Sequence, residues 1–166
     1  MRAGVALGSN LGKPLDQLQK ARARIEALPK VHPQILSSAV YETEPVGCEE
    51  NAPKFLNAVL EFEYSGDPIE LLGELAEIER SLGRAPSHLR NTSRLIDLDL
   101  LYFGDLECAT DQLELPHPRM AQREFVLRPL ADIRADLVLP GQSEPVRAIL
   151  LRTIKSGSVL RAAAQW

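Results

Sequence analysis

Cysteine is scarce in this chain. Cys48 and Cys108 are the only two; they form no C-x-x-C pair and have no histidine nearby. That excludes a disulfide-stapled scaffold and a cysteine-based structural zinc site, and leaves two ordinary reduced thiols. Long apolar runs are also missing. The stretch from Met1 to Gly8 is broken at once by Ser9 and Asn10, too short for the core of a signal peptide. No other segment approaches the ~20 apolar residues of a spanning helix. The reading is a soluble, cytoplasmic protein. An excess of positive charge is absent: 19 Lys and Arg stand against 23 Asp and Glu, a net charge of −4. Nucleic acid and anionic membrane are therefore disfavoured as partners. Internal repeats, low-complexity tracts and linkers are lacking, so residues 1–166 read as one domain, long enough to bury a sizeable core.

A phosphate-binding P-loop is absent too. Gly12-Lys13 hints at one, but the pattern needs Gly at position 7 and Ser or Thr at position 14, where Leu7 and Pro14 stand.

What is present is an alternation of strand and helix signals. Residues 2–8 read as a short buried strand ending in a Gly8-Ser9-Asn10 turn. Pro14 suits the first turn of a helix, with Leu15, Leu18, Ala21, Ile25 and Leu28 at helical spacing. Residues 35–43 and 55–63 are rich in β-branched and aromatic types and read as strands. Asp67-Pro68-Ile69-Glu70 is a helix start in which Asp67 caps and Glu70 reaches back. Ile69, Leu72, Leu75, Ile78 and Leu82 would line its buried face, with Gly83 as a stop. Residues 84–94 form a polar loop, and Ile96 to Phe103 a strand closed by Gly104-Asp105. The order β-α-β-β-α-β is an α+β, ferredoxin-like pattern: an antiparallel sheet with helices on one face. C-terminal additions follow, including a helix started by Pro145.

Three features could carry chemistry. Asp97-Leu98-Asp99 lies in the last core strand, where alternation puts both carboxylates on one face about 6.6 Å apart. Such a pair can hold Mg²⁺ against polyphosphate oxygens. Alone, a D-x-D on a strand more often marks a solvated face. The preceding loop changes the balance: Arg80, Arg84, Arg90 and Arg94 fall in a stretch with no acid from Arg80 through Ile96. Guanidinium forks match phosphate oxygens, and phosphoryl-type transfer depends on positioning and charge neutralisation. Phe55-Leu56-Asn57 places an aromatic and an amide on one strand face, able to stack a flat heterocycle and pair with its edge. On spacing alone, a core phenylalanine and a strand-start asparagine is the more economical reading. His117 and Phe125 are unremarkable in isolation. A regulatory ligand-binding module would need no carboxylate pair opposite an arginine loop, and a D-x-D nuclease or nucleotidyltransferase would bind nucleic acid, which the net charge disfavours.

In order and spacing these segments resemble the hydroxymethylpterin pyrophosphokinase family. The similarity runs through Ala6-Leu7-Gly8-Ser9-Asn10-Leu11-Gly12, Tyr41-Glu42-Thr43-Glu44-Pro45-Val46-Gly47, Phe55-Leu56-Asn57-Ala58 and Glu77-Ile78-Glu79 with Gly83-Arg84. It continues through Arg94-Leu95-Ile96-Asp97-Leu98-Asp99-Leu100-Leu101, Pro116-His117-Pro118-Arg119-Met120 and the segment from Arg123 to Leu130. The resemblance implies a folate-synthesis enzyme, a single pyrophosphokinase domain over residues 1–166. It would move a diphosphate from ATP to the hydroxymethyl oxygen of 6-hydroxymethyl-7,8-dihydropterin and release AMP. It implies two Mg²⁺ ions on Asp97 and Asp99. Phe55 and Phe125 would stack the pterin, with Thr43, Pro45, Val46 and Asn57 at its polar edge. Glu79, Arg84, Arg94, His117 and Arg123 would serve the nucleotide, Arg84 and Arg94 assisting transfer. The loop 84–94 would close over ATP, and the protein would be a monomer or weak homodimer. The chain departs from the family pattern at Pro86 and at Asn91-Thr92-Ser93.

Overall fold

The computed structural model describes residues 1–45, 51–83, 93–154 and 159–166. The strands are β1 (Arg2–Ser9), β2 (Leu36–Ser37), β3 (Val40–Thr43), β4 (Phe55–Glu63), β5 (Asp97–Phe103), β6 (Cys108–Ala109), β7 (Glu114–Leu115) and β8 (Val159–Ala163). The helices are α1 (Pro14–Glu26), α2 (Pro68–Ser81), α3 (Glu124–Arg134) and α4 (Val146–Thr153), with a 3-10 turn at Met120–Gln122. The main sheet has the order β5-β1-β4-β3-β8, with β2 also on β4 and every pairing antiparallel; β6 and β7 form a separate hairpin. Without β8 this is the ferredoxin-like arrangement read from the sequence.

Strand alternation divides the core into two layers. Val5, Leu7, Ala58, Leu60, Phe62, Leu98 and Leu100 pack with Leu18, Ala21 and Ile25 of α1 and Leu71, Leu75 and Ile78 of α2. Val59, Leu101 and Tyr102 face the opposite way, onto Val126, Leu127 and Leu130 of α3 and Val146 and Ile149 of α4. The two core helices thus share one face, and the C-terminal additions cover the other. The sheet register shifts opposite Gly4 and Val5, which pair with Tyr102 and Leu100 and leave Leu101 as an extra residue in β5. This bulge lets Leu101 and Tyr102 both face α3. Gly4 is required beneath the Tyr102 ring, since a Cβ there would lie 2.2 Å from a ring carbon.

Several local expectations need correction. The strand expected over 35–43 is broken at Ser38-Ala39, where the Ser38 N–H still donates to Val59 O at 3.0 Å but the Val59 N–H donates to the Ser38 hydroxyl at 2.9 Å. In α2, Asp67 does cap, accepting from the Glu70 N–H at 2.9 Å, but the Glu70 carboxylate turns to Lys30 Nζ at 2.5 Å instead of closing a capping box. Ile69 is exposed, and the buried face runs through Leu71, Leu75 and Ile78. Leu71, two positions on in the same turn, is the residue that faces the core. Within the loop expected at 84–94, residues 84–92 lie outside the described residues. No described helix is long and apolar enough to cross a membrane.

At the far end of the sheet, Glu61 is 1% exposed. Its carboxylate accepts from Arg134 Nε, Tyr102 Oη and Arg2 at 2.5–2.9 Å. Burial alone would raise its pKa, but donation from Arg134, Tyr102 and Arg2 outweighs that and holds it below the usual carboxylate value. A depressed folded-state value stabilises the fold fully above the unfolded pKa, about 4.3, and that stabilisation is lost as pH falls through the lowered value. Arg134→Ala should cost about 2 kcal/mol at pH 7, less than for a fully buried pair because Arg2 and Tyr102 still donate. Urea denaturation should show the gap between the native and variant chains narrowing as pH falls below 4.

Candidate active site around Asp97 and Asp99

The site lies at the start of β5, where β1 ends between β4 and β5. Leu98 is buried in the α1–α2 layer, so its neighbours Asp97 and Asp99 emerge together on the α3 face, as the two-residue period requires. A cleft there is lined by Gly8, Asn57, Asp97, Asp99, Phe125 and Val126, among others. Its cavity volume is ≈ 30 Å³, and it opens to solvent with Phe125 on one wall.

Each carboxylate has a cation. Arg94 reaches Asp97 Oδ2 at 2.7 Å, and Arg123 lies 3.6 Å from Asp99 Oδ2. The Arg123 guanidinium also sits 5.4 Å from the Phe125 ring centre, so one arginine joins the acidic side of the cleft to its aromatic side. Burial, then the charge of Asp97, push the Asp99 carboxyl above its ordinary value, against the pull of His117, Arg123 and Arg94. Burial lowers the pKa of His117 while Asp99 pulls it up. The His117 backbone N–H donates to Leu101 O at 2.8 Å, and its ring Nδ1 accepts from the Arg119 backbone N–H at 3.2 Å. Burial, reinforced by Arg119, lowers Arg123 from the usual guanidinium value.

Asn57 is buried on β4, and its Nδ2 donates to Thr43 Oγ1 on β3 at 2.8 Å. Its Oδ1 lies 3.2 Å from where a Gly8 Cβ would stand, so the glycine leaves room for the amide. Phe55 begins β4 two residues away on the same face, half-buried and outside the lining of the enclosed cleft. Pro45 follows β3 and is half-buried. Glu79 is buried on α2, and its carboxylate accepts from the Leu98 N–H at 2.7 Å, holding β5 between the two aspartates. Val46 and Arg84 lie outside the described residues.

The end of β1 organises the surroundings in a way that spacing did not reveal. Asn10, 3% exposed, donates from Nδ2 to Pro53 O at 3.1 Å and to Ser93 Oγ at 2.9 Å. Its Oδ1 accepts from the Arg94 N–H at 2.7 Å. Ser9 donates its hydroxyl to Leu95 O at 2.6 Å. One carboxamide thus joins the segment entering β4 to the segment entering β5. The Gly8-Ser9-Asn10 turn was the visible signal, but it pointed to a turn and not to this role.

Two carboxylates on adjacent same-face positions fit a hard divalent ion that draws its remaining oxygens from substrate and water. Among the described residues no group of three or more His, Cys, Asp or Glu could hold a metal.

The fold defines the class: a ferredoxin-like α+β domain with an acidic cleft at one end of its sheet. The family model for 7,8-dihydro-6-hydroxymethylpterin-pyrophosphokinase (HPPK) matches residues 4–135, and the chain belongs to that family. It is 40% identical over 138 residues to the 2-amino-4-hydroxy-6-hydroxymethyldihydropteridine pyrophosphokinase of Haemophilus influenzae, covering 83% of this chain and 84% of that protein. To the protein of the same name from Bacillus subtilis it is 44% identical over 131 residues, 79% of this chain and 77% of that one. Among solved structures, wild-type Plasmodium falciparum HPPK-DHPS with pteroate superposes with a TM-score of 0.71 over 91% of this chain at 15% identity, a likeness of fold. This chain spans only 42% of that protein's length.

Asn10→Ala should destabilise the protein by about 2 kcal/mol, since it leaves the Arg94 N–H without its acceptor and Pro53 O and Ser93 Oγ without their donor. Ser93→Ala should cost about 1 kcal/mol. Chemical denaturation of both variants beside the native chain checks the ranking.

Proposed function

We propose that the chain transfers a diphosphate group from ATP to the hydroxymethyl oxygen of 6-hydroxymethyl-7,8-dihydropterin, giving the pterin diphosphate and AMP in folate biosynthesis. The observation that carries this reading is the meeting of Asp97, Asp99, Asn57 and Phe125 around one cleft, in a chain of the pyrophosphokinase family. In this scheme Phe125 and Phe55 stack the pterin ring. Asn57, oriented by Thr43 Oγ1, pairs with the polar edge of the ring, together with Pro45 and the Thr43–Val46 segment. That fixes the hydroxymethyl oxygen for in-line attack on the β-phosphorus, where a bond to oxygen forms as the α,β-bridging bond breaks and AMP leaves.

Asp97 and Asp99 would hold Mg²⁺, two ions in the full assembly, which when bound neutralises the phosphate oxygens. Arg94 and Arg123 now lie against those carboxylates and would turn to the phosphates as the carboxylates take up metal. Arg84 would join them, and His117, held beside Asp99, would donate to a phosphate oxygen. Glu79 serves the nucleotide side by fixing β5, through its bond to the Leu98 N–H. Residues 84–94 would cover the nucleotide and exclude water. The protein works in the cytoplasm, as a monomer or weak homodimer, without nucleic acid or membrane.

Incubation with ATP, Mg²⁺ and the reduced pterin alcohol should yield AMP; ADP instead would show single-phosphoryl transfer and refute the reading. Asp97→Ala and Asp99→Ala should each remove Mg²⁺-dependent AMP formation while circular dichroism stays native. Phe125→Ala should weaken pterin binding by about tenfold, in line with loss of an aromatic contact, and ATP binding much less. Titration calorimetry with each substrate tests that split.

A further inference from the structure

The pterin-pairing residues assigned above depend on a short strand, β3. β3 has four residues, and only Tyr41, Glu42 and Thr43 pair with β4, opposite Asn57, Leu56 and Phe55. Its other end leads into the break at Ser38-Ala39, where Ser38 still bonds Val59 and the Ala39 N–H donates to Asp132 Oδ2 at 3.1 Å. Thr43 nonetheless has to be fixed closely, because its Oγ1 orients the Asn57 amide from a diagonal position across the β3–β4 pair.

β8 covers the opposite edge of β3. Val40 pairs with Ala163, Tyr41 with Arg161, Glu42 with Leu160, and Thr43 with Val159. Three residues beyond this strand, Trp166 is fastened from both sides. Its indole N–H donates to Ser38 O at 2.8 Å, at the break. Arg22 of α1 donates to Trp166 O at 2.7 Å and stacks 5.4 Å from the ring centre. β3 is therefore held at its Ser38 end through Trp166 and at its site end through Val159. Both contacts come from outside residues 4–135, the span matched by the family model.

We infer that residues 159–166 form a clasp that positions β3, and through Thr43 the Asn57 amide, making this segment a determinant of pterin affinity. The inference rests on the reading of Thr43 and Asn57 as pterin-pairing groups. Trp166 and Leu160 are positioning residues: neither lines the cleft, and Leu160 is 57% exposed. The nucleotide side is held differently, by Asn10 to Arg94 and Glu79 to Leu98, so loosening β3 should separate the two substrates.

The test compares the full chain with Trp166→Ala, which removes the indole donor and the Arg22 stack, and with Leu160→Pro, which interrupts pairing at an exposed position. Both should raise KM for the pterin alcohol about fivefold, the loss of roughly one hydrogen bond, and leave KM for ATP unchanged. Trp166→Phe, which keeps the stack without the donor, should fall between native and Trp166→Ala. Amide exchange over residues 40–43 should speed up in step with the pterin effect. Unchanged pterin KM in both variants, or equal weakening of both substrates, overturns the clasp. Direct calorimetry separates the two levels: an unaltered chain that does not bind the pterin alcohol overturns the site assignment and the clasp with it. Native binding that the variants match overturns the clasp alone.

Discussion

Two carboxylates forced onto one face of a strand repel one another, and the site is organised around containing that repulsion. Leu98 cannot leave the α1–α2 core, so Asp97 and Asp99 cannot avoid sharing the other face. Arg94 and Arg123 answer them from opposite directions, one from the segment entering β5 and one from the turn before α3. The backbone between the acids is held from a third side by Glu79. Removing substrate does not leave the acids uncompensated, because the same arginines that would meet phosphate serve as their partners at rest. The geometry of the cleft follows from this balance more than from any apolar cavity.

The balance is tied to the sheet through the end of β1. Asn10 joins the entries to β4 and β5, and Gly8 leaves space for the Asn57 amide. Arg123 extends the same network to Phe125. The aromatic and acidic halves of the cleft are consequently joined through one side chain, Arg123.

Much of this was legible in the sequence because it obeys local rules. The common face of Asp97 and Asp99 needs only the two-residue period. The buried stripe of α1 and the Asp67 cap need only helical spacing and capping chemistry. What escaped were arrangements without a local signal. α3 was hidden by Pro129 in its interior, although Val126, Leu127 and Leu130 form its buried face. β8 is short and exposed, so its identity as a strand depends on β3 being there to receive it. Asn10 reaches partners 43 and 83 residues away, and nothing near it in the chain announces them. Glu70 found Lys30 because tertiary packing offered a cation where the local rule offered only a backbone N–H.

The extra residue in β5 separates two properties that the strand otherwise seems to deliver together. Leu101 adds nothing to the parity of the acidic pair, which lies before it, but it supplies the carbonyl that receives the His117 N–H. A perfectly regular β5 would still present the same two carboxylates, whereas the Leu101 carbonyl fastens the main chain at His117. The acids belong to the regular pleat, and the backbone that carries the histidine is tied to its irregularity.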